Sequence, residues 1–363
     1  MIASRSISFA LGVALRLAFA FGFAAQATAA GFADVLDTPA QISPLASTSL
    51  LQAVTKSGNR VVAAGQRGHI VVSVDGGATW KQAPVPVSSD LTAVYFVDDK
   101  NGWAVGHDGV ILHTSDGGDS WNLQLTGIKA NQSLVAAIER LIAAEPGSEQ
   151  AKKLLAEAKR YQDQGPDKPF LDVWFSDAQN GYAVGAYNLI FKTADGGKTW
   201  ESWFDRTENP KFFNLYAIRP VGGALFIAGE GGLVLKLDAA AQRFSVVATP
   251  YEGSFFGVAD AGAAAIVFGL RGNVYGSADG GGTWTKLDAG LPAAVVAATR
   301  SADGALLLAD AGGRVSVSSD GGKTFAKLAL KQATPVTGLV DLGGGKLVLV
   351  GPRGATVTEV AAR

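Results

Sequence analysis

The octapeptide SVDGGATW (73–80) returns four more times in this 363-residue chain, as TSDGGDSW (114–121), TADGGKTW (193–200), SADGGGTW (277–284) and SSDGGKTF (318–325). Its aspartates, Asp75, Asp116, Asp195, Asp279 and Asp320, are spaced by 41, 79, 84 and 41 residues. A period of 41 accounts for the series. The gap of 84 hides a degenerate copy, GLVLKLDAAAQRF (232–244), with Asp238 and Phe244 in the box positions. The gap of 79 is one period plus an insertion of about 38 residues.

A second element recurs upstream of each box, beginning with AAGQRGHIVVS at 63 and AVGHDGVILHT at 104 and ending with LVGPRGATVTE at 349, and it makes seven units. Within a unit the apolar residues alternate. In the second, LTAVYFVD, GWAVG, GVILHT and SWNLQL read as four short strands with turn residues between them. Four antiparallel strands in about 40 residues, repeated, is the pattern of a propeller blade. One blade cannot bury both faces, so blades stack around an axis and supply one another's core. The expectation is an all-β, seven-bladed β-propeller over 30–363. The seventh unit stops after its third strand, near Val360, and residues 32–46 are expected to provide the missing strand and close the ring.

The box then has a structural explanation at the turn between third and fourth strands. Asp75, Asp116, Asp195, Asp279 and Asp320 accept turn N–H groups, and paired glycines such as Gly76 and Gly77 permit positive φ. Trp80, Trp121, Trp200, Trp284 and Phe325 enter the layer between blades.

Residues 1–29 stand apart. Arg5 opens them, an apolar stretch runs from Ile7 to Ala25, and Ala27-Thr28-Ala29 has the form of a cleavage site. A membrane anchor is the competing reading, but Arg16 interrupts the run and small residues follow it. A cleaved secretory signal is the expectation, and it places the mature protein outside the cytoplasm, as in a periplasm. The formal charge of −1 gives no footprint for nucleic acid. Absence of cysteine removes disulfides, thiolate chemistry and lipid anchoring through cysteine.

Catalytic motifs fail on spacing. GGKT in two boxes imitates a phosphate-binding loop, but Lys192 and Val317 stand where that loop needs glycine. A sialidase-like site needs an arginine cluster and a tyrosine–glutamate pair. Tyr216, Tyr251 and Glu252 exist, AIRP (217–220) is a reordered echo of the family's Arg-Ile-Pro motif, and nothing in the spacing pairs them. His69, His107 and His113 sit at different unit positions and read as exposed turn residues, not a metal site. No catalytic residue, metal or other cofactor, or small-molecule substrate is expected.

Antiparallel blades place the boxes on one face and the second–third turns on the other. Arg67, Arg271, Arg314 and Arg353 fall on that second face, in units one, five, six and seven, which a closed ring makes contiguous. They read either as arginines tolerated at exposed tips or as a docking patch for carboxylates. The insertion, 128–169, rises from the same face. Leu134, Val135, Ile138, Leu141 and Ile142 form one helical stripe, and Leu154, Leu155, Ala158 and Tyr161 another. A helical hairpin between blades two and three follows, packed on the propeller or contacting a partner.

The boxes resemble the Asp-box, or bacterial neuraminidase repeat, whose role in several propeller families is structural. GWAVGHDGVILHTSDGGDSW and GYAVGAYNLIFKTADGGKTW resemble the photosystem II stability/assembly factor family, across the mature chain except the insertion. The resemblance implies a secreted, seven-bladed, non-enzymatic propeller that helps subunits of a membrane complex assemble, in a thylakoid lumen if the host is photosynthetic. It also implies partner binding on an arginine-rich face, here Arg67, Arg271, Arg314 and Arg353. A monomer serving a membrane-protein client is the expectation. The alternatives are a carbohydrate-active propeller, hydrolase or lectin, and an accessory of an envelope transporter.

Overall fold

The computed structural model describes residues 33–262 and 264–361. The signal expected over 1–29 lies outside the described residues. Seven antiparallel sheets follow one another along the chain, at 51–82, 91–125, 170–202, 215–246, 255–287, 295–328 and 338–359. The first six have four strands in sequence order and the seventh has three. They are called blades one to seven below.

Seven separate hydrophobic layers lie between these blades, one for each neighbouring pair. The layer between blades seven and one joins Val348 and Val350 to Val61, Ala63 and Val71. An open stack of seven sheets has six interfaces, so a seventh layer means a closed ring. Each second strand is buried along nearly its whole length, because both of its faces meet other blades.

The first strands line the central channel and are tied to one another. Thr92 Oγ1 donates to Phe170 O at 2.7 Å, and Tyr95 Oη donates to Phe175 O at 3.2 Å. At the closure, Thr337 Oγ1 donates to Leu51 O at 2.8 Å across 286 residues of sequence.

The expected ring-closing strand over 32–46 is not formed. The described part of that stretch contains turns, and Pro39 and Pro44 deny it a regular ladder. Its backbone hydrogen bonds go instead to the segment that follows the outer strand of blade one: Ala40 N to Val85 O at 3.0 Å and Ser88 N to Val35 O at 2.9 Å. Residues 34–49 are therefore a strap. The outer edge of blade seven is met by residues just after blade six, through a bridge between Leu330 and Val360.

Helices α1 (Gly127–Ala144) and α2 (Glu149–Gln164) follow the fourth strand of blade two. Thr126 and Ser148 cap them by accepting the N–H of Lys129 and Ala151. Leu134, Val135 and Ile138 of α1 and Leu154, Ala158 and Tyr161 of α2 join the layer containing Phe170, Trp200 and Phe204. Leu141 and Leu155 are partly covered. The helices thus bury their apolar stripes on the propeller. Among the described residues, no helix is long and apolar enough to cross a membrane.

Candidate functional site

The box turns are built identically five times. Ser73, Thr114, Thr193, Ser277 or Ser318 donates its hydroxyl to the aspartate at 2.7–2.8 Å and accepts the N–H of the second glycine at 2.8–3.0 Å. The same carboxylate accepts the N–H and the hydroxyl of Thr79, Ser120, Thr199, Thr283 or Thr324. The Thr79 hydroxyl and N–H hold Asp75 down at about 2, and the N–H and hydroxyl of Thr283 do the same for Asp279. Three local hydrogen bonds thus hold each carboxylate within its own turn. Gly77 shows why the pair is glycine: its φ is +88°, and a Cβ there would lie 2.7 Å from Val357 Cγ2 of blade seven. The aromatic that follows packs between blades. Trp121 and Trp200 are buried, whereas Trp80, Trp284 and Phe325 are half-buried. Asp238 accepts only the N–H groups of Ala240 and Ala241, so the fourth copy keeps the turn without the full network.

At the opposite ends of the blades lie the second–third turns, here called the apexes. In blades one to five each is a single 3-10 turn whose middle residue has left-handed backbone: Arg67, Asp108, Tyr187, Gly231 and Arg271, with φ from 52 to 63°. Glycine adopts this conformation freely, but an L side chain pays about 1–2 kcal/mol. Four of the five turns accept that cost. Arg67, Arg271 and Arg353, the last at the blade-seven apex, are exposed, and none forms an ion pair among the described residues.

Arg314 departs from this set. It stands two positions later in its turn, where blade one has His69. Asp310 occupies the place held elsewhere by glycine, and its buried carboxylate accepts the N–H of Gly312 and Arg314 and the Arg314 Nη1 at 3.2 Å. This guanidinium is engaged within its own hairpin.

The helices abut the same face. A Cβ on Gly127 would meet Asp108 O at 2.7 Å, and Tyr161 Oη donates to Tyr187 O at 3.0 Å. The buried Lys168 ammonium sits over the rings of Tyr161 and Tyr187 and pairs with Asp167.

The histidines correct the expectation of exposed turns. His107 is exposed, but His113 lies against the Trp103 ring at 4.9 Å and His69 is buried. His69 Nδ1 is 3.2 Å from Ser49 Oγ, because the strap covers it. Burial, and then the nearby Arg67 charge, push His69 below the usual histidine range. The sialidase-type pair is not assembled either. Tyr251 Oη donates to Leu270 O and accepts from Asn273, Tyr216 Oη accepts from Asn214, and neither meets a glutamate.

Sequence reasoning missed the polar tie in the channel. Asp172 is buried and accepts from Ile218 N at 2.8 Å and Arg219 Nη1 at 2.6 Å, joining blades three and four. Burial pushes its carboxyl up, and the Arg219 charge opposes that. Arg219 lines both channel cavities, one of about 230 Å³ and one of about 310 Å³. The signal was in the repeat: the residue equivalent to Asp172 is Ala53, Ala93, Ala217, Gly257, Ala297 or Gly338 in the other blades.

A closed ring of seven blades, five of them carrying the Asp-box turn, defines an Asp-box β-propeller. The family described as "Photosynthesis system II assembly factor YCF48" matches residues 34–113, 78–142 and 156–327, and the chain belongs to that family. A 141-residue stretch is 30% identical to the photosystem II assembly lipoprotein Ycf48 of Synechococcus sp. (strain CC9902), covering 37% of this chain and 41% of that protein. A 47-residue stretch is 47% identical to the chloroplastic photosystem II stability/assembly factor HCF136 of Cyanidioschyzon merolae (strain NIES-3377 / 10D), 12% of this chain and 11% of that protein. The matched stretches thus span less than half of either relative. A solved structure of YCF48 bound to D1 peptide superposes with a TM-score of 0.60 at 15% identity, over 87% of this chain and 95% of that one. At that identity the likeness shows the fold.

Proposed function

We propose that this chain is an exported, non-catalytic propeller that assists assembly or stabilisation of a membrane protein complex, engaging a protein client on its apex face. Membership in a family of assembly factors supports the assembly role. The solved YCF48 structure with a D1 peptide favours a polypeptide as the client's recognised part. One observation carries the choice of face: Arg67 and Arg271 hold exposed guanidiniums, free of ion pairs among the described residues, on left-handed turns where glycine is cheaper. A planar fork held out in this way suits carboxylates.

The leader at 1–29 directs the protein to a periplasm or thylakoid lumen, where it acts as a monomer without a cofactor or small-molecule substrate. The helical pair is an insertion between blades two and three that walls one side of the docking face. Arg314 contributes less than Arg67, Arg271 and Arg353, since Asp310 already holds it.

The test is capture of the client from solubilised membranes of the source organism. The unaltered protein is expected to recover a membrane-protein subunit. Arg67→Glu combined with Arg353→Glu is expected to lose it, and undiminished recovery by that variant overturns the assignment of the face.

A further inference from the structure

The strap at 34–49 brings together features that the propeller repeat does not explain. It starts along the segment that follows the outer strand of blade one, passes over His69, and reaches blade seven before entering the first strand. Gly354 records that last approach, since a Cβ there would lie 2.1 Å from Ser47 O. The strap is rigidly held: Ser43 N donates to Gln82 Oε1 at 2.8 Å and Gln82 Nε2 donates to Gln41 O at 3.0 Å. Between it and blade one lies a cavity of about 520 Å³ lined by Pro39, Ile42, Pro44, Arg67, His69 and Ser88, among others.

Ile42 and Leu45 leave 63% and 66% of their surfaces in solvent, the two highest values for large apolar side chains among the described residues. Removing that apolar surface from water on binding is favourable. A strap already fixed by backbone and glutamine hydrogen bonds gives that gain at little ordering cost on binding. The adjoining apexes carry Arg67 and Arg353, both exposed. Asp90 Oδ1 accepts the Arg67 backbone N–H at 2.7 Å, and the Arg67 guanidinium forms no ion pair among the described residues.

We infer that the strap and the two apexes it passes between form a docking cleft for an acidic segment of the client bearing a bulky apolar residue. The apolar residue is seated against Ile42 and Leu45, and flanking carboxylates meet the Arg67 and Arg353 forks. This rests on the reading that the client engages the apex face, and it adds what kind of segment binds and where.

Two measurements on the full chain separate the two claims. The first is fluorescence anisotropy with three labelled decapeptides: an acidic one with a central Leu-Phe, its amide (Asn/Gln) counterpart, and an acidic one with Ala-Ala at the centre. The first peptide is expected to bind at least tenfold more tightly than either control, and Ile42→Ser with Leu45→Ser is expected to remove that advantage. Equal affinity for the Leu-Phe and Ala-Ala peptides overturns the cleft. The second is client capture with the same serine variant and with Arg67→Gln/Arg353→Gln. Loss in both supports the cleft. Loss only with the glutamine variant overturns the cleft while the apex face stands, and loss in neither overturns both.

Discussion

The two faces of this ring share one repeat and use it in opposite ways. On the box face, five turns carry the same side chains in the same hydrogen bonds, down to the second-glycine N–H on a Ser or Thr hydroxyl. On the apex face the backbone repeats while the side chains change: Arg67, Asp108, Tyr187, Gly231 and Arg271 occupy one geometry. Chemistry repeated around a ring builds the ring. A fixed geometry with varied side chains presents a surface that differs from sector to sector, which recognition requires.

If this division holds, damage on the box face costs stability and damage on the apex face costs binding. The largest effect is expected from Trp121→Ala, which empties a buried site between blades one and two and costs about 3–5 kcal/mol in chemical denaturation. Client capture per folded molecule is expected to be unchanged; a parallel loss of capture breaks the separation.

Acid comes next. Asp75, Asp116 and Asp279 stand at about 2 when folded, below the ordinary aspartate value. Their contribution is therefore complete above about pH 4 and is lost as pH falls through about 2. Thermal melts across that window are expected to drop steeply, and a flat melting temperature denies the boxes their stabilising role.

Reversing Arg67 and Arg353 together is expected to cut client affinity at least tenfold, about 1.4 kcal/mol. The denaturation midpoint is expected to stay put, because neither guanidinium forms an ion pair among the described residues. The smallest and sharpest test is Arg271→Gly. Relief of the left-handed turn and the added freedom of the unfolded chain oppose each other, so stability is expected to move by no more than about 1 kcal/mol. Client binding is expected to weaken severalfold in titrations. A large stability loss instead would make Arg271 a structural residue.

Sequence legibility divides along the same line. The period of 41 and the Asp-Gly-Gly box made the blades readable, because a repeat fixes local hydrogen bonds that need no distant partner. The strap was misread as a strand because 34–49 has no counterpart in any unit. Its conformation is set by Val85, Ser88 and Gln82, which only the fold brings near. His69 was misread for the same reason, since the strap buries it. The four arginines were legible as a group by face, but not the capture of Arg314 by Asp310, which depends on a two-residue offset within one turn. Asp172 was readable in principle, as the one acid in a column of alanines and glycines.

The closure between Thr337 and Leu51 joins residues 286 positions apart, and the strap lies against the last blade. At a synthesis rate of about 5–20 residues per second, the strap's neighbours emerge about 15–60 s after it does. Ile42, Leu45 and Arg67 thus wait beside a gap until Arg353 arrives. The proposed cleft, with sides from residues 42–67 and from Arg353, exists only once blade seven has closed on blade one, so a client docking there would select helpers whose ring is already closed.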